Sequence, residues 1–237
     1  MGEARRVLVT RPEPGASHTA RRLEEMGFAP VVLPLSETVP VVAEIAPGRY
    51  DAVAITSVNA IRHAEPGLIG SLIHLPAYAV GEKTANAARS AGFADVTAGR
   101  GDGEALALAL SGALRHGAHV LYLAGRVRRP DFEAKAVAGG LEITVCETYD
   151  TADIDYRDLR GRLGDAQIDV ALIYSVFAAK ALIELAKRPE ISDIWEKAWV
   201  LCLSPRILES LPERWQARAL VSERPDEQAL FKLLASL

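Results

Sequence analysis

The chain has 237 residues, 49% of them hydrophobic and 24% charged, with a formal net charge of −4. That is enough apolar material for one large core or two small ones. The balance gives no global basic field for nucleic acid. No apolar run approaches the ~18 residues a membrane span requires. The opening stretch, MGEARRVLVTRPEPG, holds only a short apolar run before Arg11 and Pro12, too little for a secretory signal, so a cytoplasmic protein is expected.

Short apolar runs rich in β-branched residues follow one another along the chain. They are VLVT (7–10), PVVLPL (30–35), DAVAIT (51–56), AYAVG (77–81), ADVTA (94–98), HVLYLAG (119–125), EITVCETY (142–149), DVALIY (169–174), WVLCLS (199–204) and RALVSE (218–223). Nearly continuous rather than alternating, they predict strands buried on both faces. Between them lie helical stretches such as TARRLEEMG (19–27), TANAARSAG (84–92), EALALALSGALRHG (104–117) and EQALFKLLASL (227–237). Several end in glycine, a helix stop. Strand–helix alternation predicts parallel α/β sheets, and ten strands divide more comfortably into two lobes than one.

The sequence also repeats itself. DAVAITSVNAIRHA begins at Asp51 and reaches Ser57; DVALIYSVFAAKAL begins 118 positions later at Asp169 and reaches Ser175. RGDGEAL (100–106) returns as RPDEQAL (224–230). A third echo runs the other way: VLVTRPEPGASHTARRLEEMG from Val7 matches VLYLAGRVRRPDFEAKAVAGG from Val120, each with its glycine twenty residues on. The middle of the chain therefore carries five strand units in one run, the C-terminal third repeats the first three, and the N-terminal segment repeats the last two. This permuted pattern predicts one lobe built from both ends of the chain (1–35 plus 153–237) and a second inserted between them (41–147). The links fall at 36–40 and 148–152, where Pro, Thr and Asp replace the apolar runs.

Ligands of open parallel sheets gather at the carboxyl ends of strands, where Ser57 and Ser175 stand, each before a helix. A serine there caps the helix; the same helix start offers free N–H groups to a carboxylate or phosphate. Thr84 in VGEKTANAA has the same position. Neither serine lies in a G-x-S-x-G elbow. The glycines of AGRGDGEAL depart from the dinucleotide spacing and read as a loop and helix start. Arg126, Arg128 and Arg129 cluster in a loop after a strand, with Arg11 in the corresponding loop of the other lobe; anion binding and a solvated charged face are both open there. Cys146 and Cys202 lie in apolar runs and read as small buried hydrophobes, and the five histidines show no metal-ligand spacing, so no metal is expected.

Taken in order, VLVTRP, DAVAITSVNAI, AYAVGEKTANAARSAGF, AGRVRRPDFEAKAVAGGLEITVCETYDT and IYSVFAAKAL resemble the motifs of the uroporphyrinogen-III synthase family over essentially the whole chain. The resemblance implies two flavodoxin- or Rossmann-like α/β lobes, one discontinuous, joined by a two-stranded linker. It implies a monomeric cytoplasmic lyase of tetrapyrrole biosynthesis that needs no cofactor. Its substrate would be the linear tetrapyrrole hydroxymethylbilane, closed to uroporphyrinogen III with inversion of ring D and loss of water; a non-catalytic anion-binding or regulatory relative is the alternative. Carried over residue by residue, it makes Thr56, Ser57, Asn59, Thr84 and Ser175 donors to the substrate's carboxylates, Arg11 and Arg129 its cations, and Ser204 a substitute for a family threonine. Tyr149 matches the linker tyrosine, a phenol able to pass a proton to a departing hydroxyl. The chain departs from the pattern at Val176, where the family often has proline, and in LCLSPRILESL near the C-terminus.

Overall fold

The computed structural model describes residues 4–237. Among them eleven strands alternate with helices: β1 (Arg6–Val9), β2 (Ala29–Val32), β3 (Ser36–Pro40), β4 (Ala52–Ile55), β5 (Ala77–Ala79), β6 (Val96–Ala98), β7 (His119–Gly125), β8 (Glu142–Asp153), β9 (Val170–Ile173), β10 (Trp199–Cys202) and β11 (Ala219–Val221). They form two sheets, ordered β11-β10-β9-β1-β2 and β3-β8-β7-β4-β5-β6. The chain divides into two compact units: the segment ending at Glu37 together with Ala152–Leu237, and Thr38–Thr151. It passes between them twice, within β3 and within the twelve-residue β8, which are neighbours in one sheet. The eleventh strand, beyond the ten apolar runs, is β3; its sequence SETVP carries too little apolar character to announce a strand.

The discontinuous unit is a wholly parallel sheet. Successive residues of its central strands supply opposite cores, as the two-residue period of a strand requires. Leu8, Ala171 and Ile173 join one apolar cluster, while Val7, Val9, Val170 and Leu172 join the other. The inserted unit repeats the arrangement. Ala52, Ala54, Val120, Tyr122 and Ala124 pack on one face, and Val53, Ile55, Leu121 and Leu123 on the other. Both faces are covered, which is why these runs lack polar alternation.

The permuted repeat is visible in the topology. Counted from β4, the parallel strands of the inserted unit stand in the spatial order 3-2-1-4-5; counted from β9 and continuing through β1 and β2, so do those of the other unit. Registers agree as well: Tyr122 pairs with Ala54, and Val9, its counterpart, pairs with Leu172. Helix starts repeat too. Ser57 Oγ accepts the Asn59 N–H and Ser175 Oγ the Ala178 N–H, while Asp102 and Asp226 cap Gly103–Ala113 and Glu227–Ala235. The residues shared by the two halves of the sequence are in large part those that begin helices.

Candidate functional site

In a 3-2-1-4-5 sheet the chain turns in opposite directions from the first and fourth strands, opening a crevice at their carboxyl ends. In the inserted unit those strands are β4 and β7. A cavity of about 630 Å³ lies there, lined by residues that follow β4, β5, β6 and β7 and by Tyr149 of β8. That volume suits a small-molecule ligand or part of a larger one.

Its walls are built from local rules. Gly101 adopts φ of +109°, which only glycine takes readily, and its N–H donates to the Val80 carbonyl at 2.7 Å. The fold closes that loop against β5 and delivers Asp102 to its capping position. Thr56 Oγ1 lies 2.7 Å from the Tyr122 hydroxyl. Burial pushes the Tyr122 phenol up, and its bond to Thr56 offsets this only in part.

The three loop arginines have distinct fates. Arg126 meets Glu147 and Asp150, each at 3.1 Å, and Arg128 meets Glu133 and Glu147, each at 2.8 Å. Hydrogen bonds from Arg128 and Arg126 hold the Glu147 carboxyl below its usual range. Two of the arginines thus bind their loop to β8. Arg129 is exposed, lines the cavity, and makes no ion pair among the described residues.

Tyr149 reaches the cavity through a bulge. The register between β7 and β8 shifts at Ala124/Gly125, so that Gly125 pairs with Tyr149. A bulge re-aims the side chains that follow it. Thr148 turns inward and donates to the Ala60 carbonyl at 2.9 Å, and the Tyr149 ring lies against Gly125 and 5.9 Å from His63, centroid to centroid.

Of the residues singled out in the sequence, the cavity thus gathers Thr56, Ser57, Arg128, Arg129 and Tyr149, with Arg128 already tied to Glu133 and Glu147. Asn59 is not among the lining residues; it stands two residues beyond Ser57 in the helix Val58–Arg62, where its side chain accepts from Arg62. Thr84 is corrected: the cap of Glu82–Ser90 is Gly81, and Thr84 sits inside the helix, 5% exposed. The strand ends at Ala79 and the helix begins at Glu82, so the cap position falls three residues before the threonine.

The remaining three lie in the discontinuous unit. Ser175 is a helix cap, and Ser204 holds a cap position without a side-chain hydrogen bond. Arg11 lies where the equivalent crevice would be, between β1 and β9. Its guanidinium stacks 4.6 Å from the Tyr174 ring centroid and meets Glu227 at 2.8 Å. Glu227 also accepts from Arg22, Thr19 and, at 3.2 Å, the Tyr174 hydroxyl. Burial and the Glu227 charge together push the Tyr174 phenol upward. One switch point of the repeat is therefore open, and the other is filled by a five-residue polar network. Sequence reasoning missed Tyr122 and Glu227; a tyrosine hydroxyl in an otherwise apolar strand was the available signal for the first.

A two-unit α/β protein with a ligand-sized cavity at a topological switch point defines the class: small-molecule enzymes and binding proteins of the doubly wound type. The chain belongs to the uroporphyrinogen-III synthase family of lyases, whose model, described as uroporphyrinogen-III synthase HemD, matches residues 17–232. The fold is similar to that of a uroporphyrinogen-III synthetase from Helicobacter pylori, with 18% identity, 99% of each chain covered and a TM-score of 0.71. It is also similar to a mutant uroporphyrinogen III synthase from the extremely thermophilic bacterium Thermus thermophilus, with 15% identity, 99% of this chain and 98% of that one covered, and a TM-score of 0.51. No curated protein matched the sequence.

Proposed function

We propose that the cavity of the Thr38–Thr151 unit is where this lyase grips hydroxymethylbilane while closing it to uroporphyrinogen III. The observation that carries the reading is the convergence on one cavity, in a chain of this family, of Thr56 and Ser57 after β4, Arg129 after β7 and Tyr149 within β8. The substrate carries many carboxylates and the protein is net negative, so attraction must be local. Arg129 supplies the unpaired cation, and hydroxyl and N–H donors at the helix starts supply the rest. Asp102, Glu104 and Asp131 also line the cavity. They restrict where a carboxylate can rest and so favour one folded arrangement of the chain of pyrroles.

Hydroxymethylbilane closes unaided to the uninverted isomer, so the enzyme's task is orientation and charge stabilisation. Tyr149 passes its phenolic proton to the departing hydroxyl, which leaves as water. The pyrrole carbon that closes the ring sheds a proton in turn, and the phenol is restored. No group beyond these side chains is needed for that balance. We further infer a monomer acting in the cytoplasm; among the described residues no helix is long and apolar enough to cross a membrane.

The test is to supply freshly prepared hydroxymethylbilane to the purified protein, oxidise the product and separate isomers I and III. Isomer III above the spontaneous background is expected. Isomer I alone would leave the non-catalytic alternative, which no present observation favours. Sedimentation of the same sample at one chain's mass, 25.5 kDa, checks the monomer.

A further inference from the structure

We propose that Thr56 and Tyr122 form a carboxylate subsite in the cavity wall, positioning one acidic side chain of the tetrapyrrole. The proposal rests on the functional reading above and assigns Tyr122 a role that no sequence motif gave it.

Three observations carry it. First, the two hydroxyls hold two protons between them, and their mutual 2.7 Å bond uses one. The other is free to donate into the cavity that both residues line. Second, Tyr122 is 2% exposed, with its ring 4.5 Å from that of Phe132, centroid to centroid, so its hydroxyl is held in place by packing. A donor fixed in this way needs little ordering when a carboxylate arrives. Third, the fold does not require the pair. The sister unit builds the same two strands with Val9 where Tyr122 stands, and with Tyr174, bonded to Glu227, where Thr56 stands. A phenol in an apolar face is costly unless its oxygen is used. The unit with the open cavity keeps it; the unit whose crevice is filled has valine. Upward displacement of the phenol by burial keeps the proton in place at neutral pH.

The experiment measures steady-state kinetics, product isomers and melting temperature for Thr56→Val, Tyr122→Phe, the double variant and Thr56→Ser. Each of the first two should raise KM about tenfold, the loss of one hydrogen bond to a charged group, with kcat within about twofold and isomer III still the product. The double variant should raise KM little beyond either single change, because one subsite is lost only once. Thr56→Ser should restore the wild-type KM. If Tyr122→Phe yields little folded protein, Thr56→Val reads the same subsite. An unchanged KM in Thr56→Val and Tyr122→Phe, whatever their melting temperatures, overturns the proposal, as does a fall in kcat at constant KM. Wild-type protein that makes only isomer I instead defeats the functional reading beneath it, and the two failures are distinguishable.

Discussion

Gly125 and Tyr149 face each other across the bulged pairing of β7 and β8, and the glycine is what leaves room for the ring. A Cβ at position 125 would stand 2.5 Å from Tyr149 Cζ and 2.9 Å from its hydroxyl oxygen. Gly125→Ala must therefore displace the phenol. We expect Tyr149→Phe to lower kcat by about a hundredfold without abolishing turnover, at the lower end of what a positioned proton donor contributes. Gly125→Ala should reproduce most of that loss although it removes no reactive group. Equal kcat in wild type and Tyr149→Phe would take the phenol out of the mechanism.

Arg129 and Arg126 stand three residues apart and should answer differently. Arg129→Gln removes the cavity's unpaired cation and is expected to raise KM about tenfold, an effect that weakens as salt is added. Arg126→Gln breaks exposed pairs to Glu147 and Asp150, and such pairs contribute little. Its KM should stay within about twofold of wild type, and a comparable rise in both variants would contradict this division of labour.

The filled crevice of the discontinuous unit predicts a pH response. Burial acts to raise the Glu227 carboxyl, but the Thr19 hydroxyl, Arg11, Arg22 and the Tyr174 hydroxyl together hold it below its ordinary value of 4.5. A carboxyl depressed in the folded state stabilises above its unfolded value, and that stability disappears as pH falls through the folded value. Stability should therefore drop as acid is added below about pH 4.5, and Glu227→Gln should flatten that limb. At neutral pH the same variant leaves Arg11 and Arg22, each about one-third exposed, without a charged partner and should cost about 2 kcal/mol. Denaturant titrations of both proteins across the acid range give the comparison.

Ser175 tests capping apart from catalysis. Ser175→Ala should cost about 1 kcal/mol by removing the acceptor for the Ala178 N–H, with KM unchanged. A raised KM in that variant would bring Ser175 back to the substrate.

Cys146 and Cys202 are buried, and burial pushes both thiols up, Cys202 to about 12. A thiol so protonated is a poor nucleophile. Neither should react with a disulfide reagent in the native protein, and both should react after unfolding; rapid native labelling would place one of them at the surface.

The architecture was legible because the same physics was written twice. Ser57 and Ser175, Asp102 and Asp226 cap equivalent helices, so a short-range signal recurring 118 and 124 residues on revealed a long-range arrangement. Ser57 and Arg129 were legible as residues that follow strands, since carboxyl ends of parallel strands gather ligands whatever the detail, whereas Thr56 and Tyr149 were legible only through the family motifs. What stayed hidden depends on pairing across the chain. Arg11 finds Glu227 at a separation of 216 residues, and nothing near either announces the other. Tyr122 reads as one more apolar strand residue until β4 places Thr56 beside it. Thr84 missed the cap because β5 ends at Ala79 and the helix already begins at Glu82, a boundary that the hydroxyl's presence does not reveal.

The permuted topology also sets an order of events during synthesis. β1 and β2 are complete by Val32, yet the partner on the other side of β1 begins only at Val170. At about 5–20 residues per second the ribosome needs on the order of ten seconds to bridge that gap. The inserted unit, contiguous from Thr38 to Thr151, can mature in the meantime. Two nascent strands with an unpaired border must wait for it, and that interval is when the emerging polypeptide is most open to pairing with a stranger.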